Sequence, residues 1–245
     1  MLIKTLQPHE VQIILVSPFF KSYVEYLHEN PKNMLSKFYG IYEIKVAQQD
    51  SIYFTVTENV IGEDFQLVNR CYDLKGSTFS RITEVTDDEK IDGSGLKVLK
   101  DLNFAAEDTE RLALSDLNRN EILKQLDQDS KFLSSHKLMD YSLFLIIIDN
   151  KAKTPRDLNQ SLVFDNYQKK YLIKEDEIDT IDKKTAPNKL SLISKKILQS
   201  QKRKDSKVTY AEIESSDGKY RYKFSLIDFL TIFTTQKYIE GEMKS

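Results

Sequence analysis

The stretch Met139-Asp140-Tyr141-Ser142-Leu143-Phe144-Leu145-Ile146-Ile147-Ile148 sets a carboxylate just ahead of an unbroken apolar run. A strand with one wet face alternates polar and apolar side chains; an unbroken run is covered on both faces. The segment therefore predicts a central, buried β-strand. Lys223-Phe224-Ser225-Leu226-Ile227-Asp228-Phe229-Leu230 has the opposite polarity, a strand with Asp228 at its far end. A charge beside such a strand is paired, binds a metal or lies at the strand's open end.

Outward from this pair, Leu2-Ile3-Lys4-Thr5-Leu6 reads as a strand and Pro8 as a helix opening. Ser17-Pro18 reads as an N-cap with proline at N1. Phe19, Tyr23 and Leu27, with Phe20 and Val24, give the next helix an aromatic face, ended by Asn30-Pro31. Phe38 to Val46 and Ile52 to Val60 read as a hairpin turning at Gln48-Gln49-Asp50. Residues 71–75 predict a strand broken by Gly76-Ser77, and Leu96 to Leu99 a short apolar stretch. Asn118 and Glu121 form a capping box before a helix over 119–134 that carries Ile122, Leu126 and Leu133. Residues 150–220 are lysine-rich with few apolar clusters, which predicts a mobile insert. Periodic structure is expected to return at Tyr220, with a terminal helix over Thr235 to Lys244.

Composition narrows the function classes. Lysine plus arginine is 36 against 38 acidic residues, a net charge of −2, which argues against nucleic-acid binding by the whole chain. His9, His28 and His136 lie far apart, and Cys71 stands alone, so neither a zinc site nor an intrachain disulfide is expected. Cys71 is read as buried packing. The longest apolar run, Leu143 to Ile148, is far short of the roughly 20 residues of a spanning helix. No signal peptide is visible, so an intracellular protein is expected. Glycine is scarce, 7 of 245 residues, and no glycine-rich phosphate loop occurs.

Lys4, Asp140 and Asp228 stand out chemically. A lysine that neutralises nucleotide phosphates, a carboxylate that holds magnesium and another that orients the attacking hydroxyl are what ATP-dependent phosphoryl transfer requires. Each carboxylate reads equally well as a strand-end cap or ion-pair partner.

The local strings add to this. Tyr72-Asp73-Leu74-Lys75-Gly76-Ser77-Thr78-Phe79-Ser80-Arg81 resembles the D-L-K-G-S-T-x-x-R signature of the phosphatidylinositol phosphate kinase family. Met139 to Leu143 resembles its M-D-Y-S-L motif and Leu226-Ile227-Asp228-Phe229-Leu230 its I-I-D-x-L strand. Leu2-Ile3-Lys4-Thr5 and Phe38-Tyr39-Gly40-Ile41-Tyr42 are similar to its I-I-K-T and F-Y-G-L-Y strands. The matches run in family order along nearly the whole chain.

This resemblance implies an α+β, two-lobed lipid-kinase fold distantly like protein kinases, with antiparallel sheets and flanking helices. Residues 1–60 are expected as a partial N-terminal lobe and 61–245 as a C-terminal lobe with an insert at about 150–220. The implied roles are Asp140 and Lys4 as catalytic residues, Lys4 and Lys75 at the phosphates of ATP, and Asp228 as the Mg2+ ligand. Glu58-Asn59-Val60 looks like the hinge that meets adenine. Lys75 reads equally as an ion-pair partner of Asp73, and Glu10 either pairs with Lys4 or is an exposed helix carboxylate. The implied reaction phosphorylates a phosphatidylinositol phosphate headgroup, above all phosphatidylinositol 4-phosphate to the 4,5-bisphosphate. The implied partners are ATP and a phosphoinositide lipid in an anionic membrane, with a cytoplasmic protein peripheral at the inner face.

The chain departs from the family pattern in places. It starts after the family's glycine-rich loop and ends before its activation loop. Asn103 replaces the second aspartate of the K-D-x-D-F pattern, and Ile146 and Ile148 replace a glycine and a histidine. The alternative reading is a catalytically incomplete kinase remnant that binds membrane or protein. Lys195 to Lys207 holds six basic residues against Asp205, either a solvated loop or a membrane contact. It lacks the interleaved aromatics of a nucleic-acid site.

Overall fold

A computed structural model describes residues 1–45, 50–85, 97–106, 112–150 and 212–233. The Gln48-Gln49 turn, the bulk of the 150–220 insert with its Lys195 to Lys207 cluster, and the Thr235 to Lys244 helix lie outside the described residues. The described residues fall into two compact units, one of Met1–Pro31 and Ser36–Val60, the other containing Lys32–Leu35 and the remainder from Ile61 on.

The first unit holds a three-stranded antiparallel sheet of β1 (Leu2–Thr5), β2 (Phe38–Ile44) and β3 (Ile52–Thr57), in the order β1-β3-β2. Helix α1 (Pro8–Leu15) opens on Pro8, whose missing N–H costs nothing in a first turn. Helix α2 (Phe19–Glu29) buries Phe19, Phe20 and Tyr23 as the aromatic spacing predicts. Tyr23 meets Phe38 edge-on at 5.5 Å and donates its hydroxyl to the Ser36 carbonyl at 2.8 Å. The cap of α2 differs from expectation: Pro18, not Ser17, takes the N-cap position. The Ser17 hydroxyl instead donates back to the Ile13 carbonyl while accepting the Phe19 N–H, so one side chain closes α1 and opens α2.

The second unit is built on a five-stranded sheet in the order β5-β4-β7-β9-β8: β4 (Val68–Leu74), β5 (Val98–Lys100), β7 (Ser142–Asp149), β8 (Ile213–Glu214) and β9 (Tyr220–Ile227). Strand β7 is central, as the apolar run predicts. Leu145 and Ile147 pack on one face with Tyr72, Tyr222 and Phe224, beneath Ile122 of helix α4 (Asp116–Ser135) and Met34. The other face carries Cys71, Ile146 and Lys223, in register across three strands and all buried. Both faces are therefore dry, which is why the sequence does not alternate. Lys223 is compensated by Asp64 of the 3-10 helix Gly62–Leu67, Nζ to Oδ2 at 2.6 Å. Beside them, helix α3 (Asp101–Ala106) follows β5 and sets Phe104 edge-on to Tyr72 at 5.1 Å.

Three expectations are corrected here. The sheet is not wholly antiparallel, because β4 and β5 run parallel. Helix α4 begins at Asp116, not Arg119: Ser115 is extended and accepts the Asn118 N–H, a closer N-cap than the Asn118–Glu121 box. Regular structure returns before Tyr220, at Ile213, where β8 pairs with the strand that follows. A small two-stranded sheet of β6 (Leu138–Met139) and β10 (Thr231–Ile232) completes the unit.

Candidate active site

Strand register brings three of the candidate residues to one end of the five-stranded sheet. Leu74 pairs with Leu143, and Ser142 pairs with Ile227. Lys75 leaves β4, Asp140 precedes β7 and Asp228 follows β9, so all three emerge at the same edge. Both aspartates are exposed and both have left-handed backbones, φ 62° at Asp140 and 58° at Asp228. Aspartate is among the few non-glycine residues that tolerate this conformation. The turn throws each carboxylate off the strand end instead of into the core.

Lys75 is tied to Asp140. Its Nζ donates to Oδ1 at 2.8 Å and to the Asp140 carbonyl at 3.0 Å, gripping the carboxylate and its unusual backbone together. The ion pair to Asp73 weighed from the sequence does not form. Asp73 pairs with Arg81, whose Nη2 also donates to the Asp73 carbonyl. Arg81 Nε in turn donates to Asp101 Oδ2 at 2.7 Å. The other Asp101 oxygen accepts the N–H groups of Lys75 at 3.0 Å and Gly76 at 2.8 Å. Gly76 has φ 69°, where any side chain is strained. The D-L-K-G-S-T-x-x-R string thus has a mechanical meaning: its first and last charges close a loop that aims its lysine at Asp140.

Burial alone raises the Asp101 carboxyl, but the hydrogen bonds from Arg81 and the Gly76 N–H outweigh it and hold the group below its ordinary value. Asp101 is the residue that sequence reasoning missed as part of this machinery. Its position in the K-D-x-D-F pattern was the available signal. Asn103, the departure in that pattern, stays structural: its side chain exchanges hydrogen bonds with the Thr83 backbone.

An open cleft of about 510 Å3 lies against this edge, lined by Lys75, Lys137, Met139, Asp140, Tyr141 and Phe233 among others. Its walls mix two ammonium groups, one carboxylate and two aromatic rings.

The remaining candidates lie in the first unit. Lys4, on β1 opposite Thr55, donates to Glu10 Oε1 at 3.1 Å. Glu10 is a buried helix carboxylate whose other oxygen accepts the Gln7 N–H at 2.7 Å. The exposed alternative for Glu10 is therefore wrong. Glu58, Asn59 and Val60 end this unit, directly after β3. Glu58 is buried with its carboxylate 4.0 Å from Lys37 Nζ, and its N–H donates to the Lys37 carbonyl at 2.9 Å.

Mg2+ takes few protein carboxylates and completes its shell with water and phosphate oxygens. The exposed carboxylate of Asp228 at this sheet end fits that demand, and among the described residues no cluster of three acidic, histidine or cysteine ligands competes with it.

Compared with known families, the chain matches the phosphatidylinositol-4-phosphate 5-kinase family over residues 1–245. The chain belongs to that family. Among curated members, it is 36% identical over 146 residues to phosphatidylinositol 4-phosphate 5-kinase-like protein 1 of Mus musculus, covering 59% of this chain and 34% of that one. It is 33% identical over 156 residues to the type-1 alpha phosphatidylinositol 4-phosphate 5-kinase of Homo sapiens, covering 63% and 26%. Phosphatidylinositol 4-phosphate 5-kinase 7 of Arabidopsis thaliana is 33% identical over 160 residues, covering 65% and 19%. The matches thus span between about a fifth and a third of each relative's length. Among the described residues of this family member, no helix is long and apolar enough to cross a membrane.

Proposed function

We propose that this chain carries the core of an ATP-dependent phosphatidylinositol phosphate kinase. The substrate is phosphatidylinositol 4-phosphate and the product the 4,5-bisphosphate. The observation that supports it best is the tethering of Asp140 by Lys75 at the sheet edge that also carries Asp228. In this reading the first unit is the N-terminal lobe, with Lys4 at the ATP phosphates and the backbone of Glu58, Asn59 and Val60 at adenine. The second unit is the C-terminal lobe.

Asp140 accepts the proton of the inositol hydroxyl as its oxygen bonds to the γ-phosphorus. The bond from that phosphorus to the bridging β–γ oxygen breaks, and ADP leaves. Lys75 holds Asp140 and lies at the phosphates, while Asp228, with its exposed carboxylate, holds magnesium. Bound Mg2+ supplies charge neutralisation for the phosphates. The substrate headgroup sits in the interface of an anionic membrane, so the protein works as a peripheral protein on a cytoplasmic leaflet.

The test uses the full-length protein with labelled ATP, Mg2+ and vesicles containing phosphatidylinositol 4-phosphate. Label in the bisphosphate, lost on chelating the metal, is the expected result. Vesicle binding with no label in any inositol lipid would return the binding-module reading.

A further inference from the structure

The cleft beside Asp140 contains a second lysine that the transfer reaction above does not use. Lys137 lies three residues before Asp140, at the junction of α4 and β6, and lines the same cleft as Lys75 and Asp140. Its backbone is fixed from both sides. Its N–H donates to the Ser134 carbonyl at 2.9 Å, and its carbonyl accepts the Phe233 N–H at 2.7 Å. Its φ is 58°, a left-handed value that lysine rarely adopts. A lysine held at a position that suits glycine or asparagine calls for a reason beyond the turn.

Charge supplies one. Lys75 is committed to Asp140, whereas among the described residues the Lys137 ammonium has no carboxylate partner. The cleft thus holds two cations and one anion, with the surplus positive charge on Lys137. Tyr141 and Phe233 supply flat apolar walls in the same cleft. A ring carrying one phosphomonoester, entering with a hydroxyl toward Asp140, presents its negative charge to that surplus.

We propose that Lys137 is a specificity-determining residue that binds the phosphomonoester already on the inositol ring. The inference rests on the transfer reaction proposed above and adds to it the group that tells a phosphorylated headgroup from an unphosphorylated one. An ammonium–phosphate contact is a charge-assisted hydrogen bond, among the stronger polar contacts available. Its partner has two chemically similar sources, the ring phosphate of the lipid and the phosphates of ATP. A third possibility is that Lys137 only feels the charge of an anionic bilayer.

The test separates these in the full-length protein. Lys137→Met removes the charge, Lys137→Asn removes it while favouring the left-handed backbone, and Lys137→Arg keeps it. With monomeric short-chain phosphatidylinositol 4-phosphate, the KM for lipid should rise about tenfold in the first two variants. It should return near wild type in the third, with the KM for ATP unchanged throughout. Calorimetric binding of soluble inositol 1,4-bisphosphate should weaken in parallel. An unchanged lipid KM in both neutral variants overturns the proposal, as does a matching rise in the KM for ATP. An effect confined to anionic vesicles, absent with monomeric lipid, also overturns it and assigns Lys137 to membrane attraction. If the wild type transfers no phosphate, the kinase reading fails, and the headgroup titration still decides this one: binding that depends on the Lys137 charge upholds it, and no binding by the wild type ends it.

Discussion

Asp101 holds Lys75 by the backbone while Lys75 holds Asp140 by the side chain: Asp101 Oδ1 accepts the Lys75 N–H at 3.0 Å, and Lys75 Nζ reaches Asp140 Oδ1 at 2.8 Å. Asp101→Ala removes the acceptor for two loop N–H groups and leaves Arg81 with one carboxylate. The variant should lose about 2 kcal/mol of stability in urea unfolding. Kinase turnover should fall further than that loss explains, because Lys75 is no longer aimed. Activity at the wild-type level in the folded variant would show that the loop needs no such anchor.

Asp228→Asn should leave the fold intact and abolish turnover. The residue is exposed at the end of β9, and asparagine tolerates the same left-handed backbone. What is lost is a charge beside the phosphates. An unfolding midpoint equal to wild type together with near-normal kinase activity would remove Asp228 from the metal site.

The second unit should lose stability in acid through Asp64. Burial alone raises the Asp64 carboxyl, but the hydrogen bond and charge of Lys223, then those of Arg221, hold it below its ordinary value. A carboxyl depressed in the folded state stabilises the protein above its unfolded pKa and loses that contribution as pH falls through the folded value. The melting temperature should therefore drop from about pH 4 downward. Asp64→Asn should flatten that fall. It should also cost about 2 kcal/mol at neutral pH, because Lys223 stays buried without its counter-ion.

Ser142→Ala should be neutral or slightly stabilising. The Ser142 hydroxyl is buried with no hydrogen-bond partner among the described residues, so its removal forfeits no bond and relieves a desolvated polar group. A loss above about 1 kcal/mol in urea titration would mean the hydroxyl is satisfied by a bound water.

The central strand was legible in the sequence because burial on both faces abolishes alternation, and Leu145, Ile146 and Ile147 are all buried. The places of Asp140 and Asp228 at strand ends were legible because each stands at the limit of an apolar run. The partner of Lys75 was not. Sequence proximity favoured Asp73, two residues away, but Arg81 takes the Asp73 carboxylate, and the β4–β7 register brings Asp140 within reach of Lys75. The anchoring by Asp101 was hidden because the residue opens the helix after a parallel strand, 26 residues downstream of Lys75. The cap of α4 was missed because two polar residues three apart each offered a start, and only backbone geometry separates Ser115 from Asn118.

The left-handed backbones at Asp140 and Asp228 carry an evolutionary consequence. A side chain in this region is strained by about 1 kcal/mol relative to glycine. Under the proposed chemistry, glycine at either position would relieve that strain while removing a reacting carboxylate, and at Asp140 also its ion pair with Lys75, so stability and activity make different demands on this sheet edge. A lineage relieved of the need for catalysis would drift at these two positions first, and toward glycine or asparagine. If the chemistry proposed above holds, aspartate at both positions accepts backbone strain in exchange for a carboxylate at the strand end.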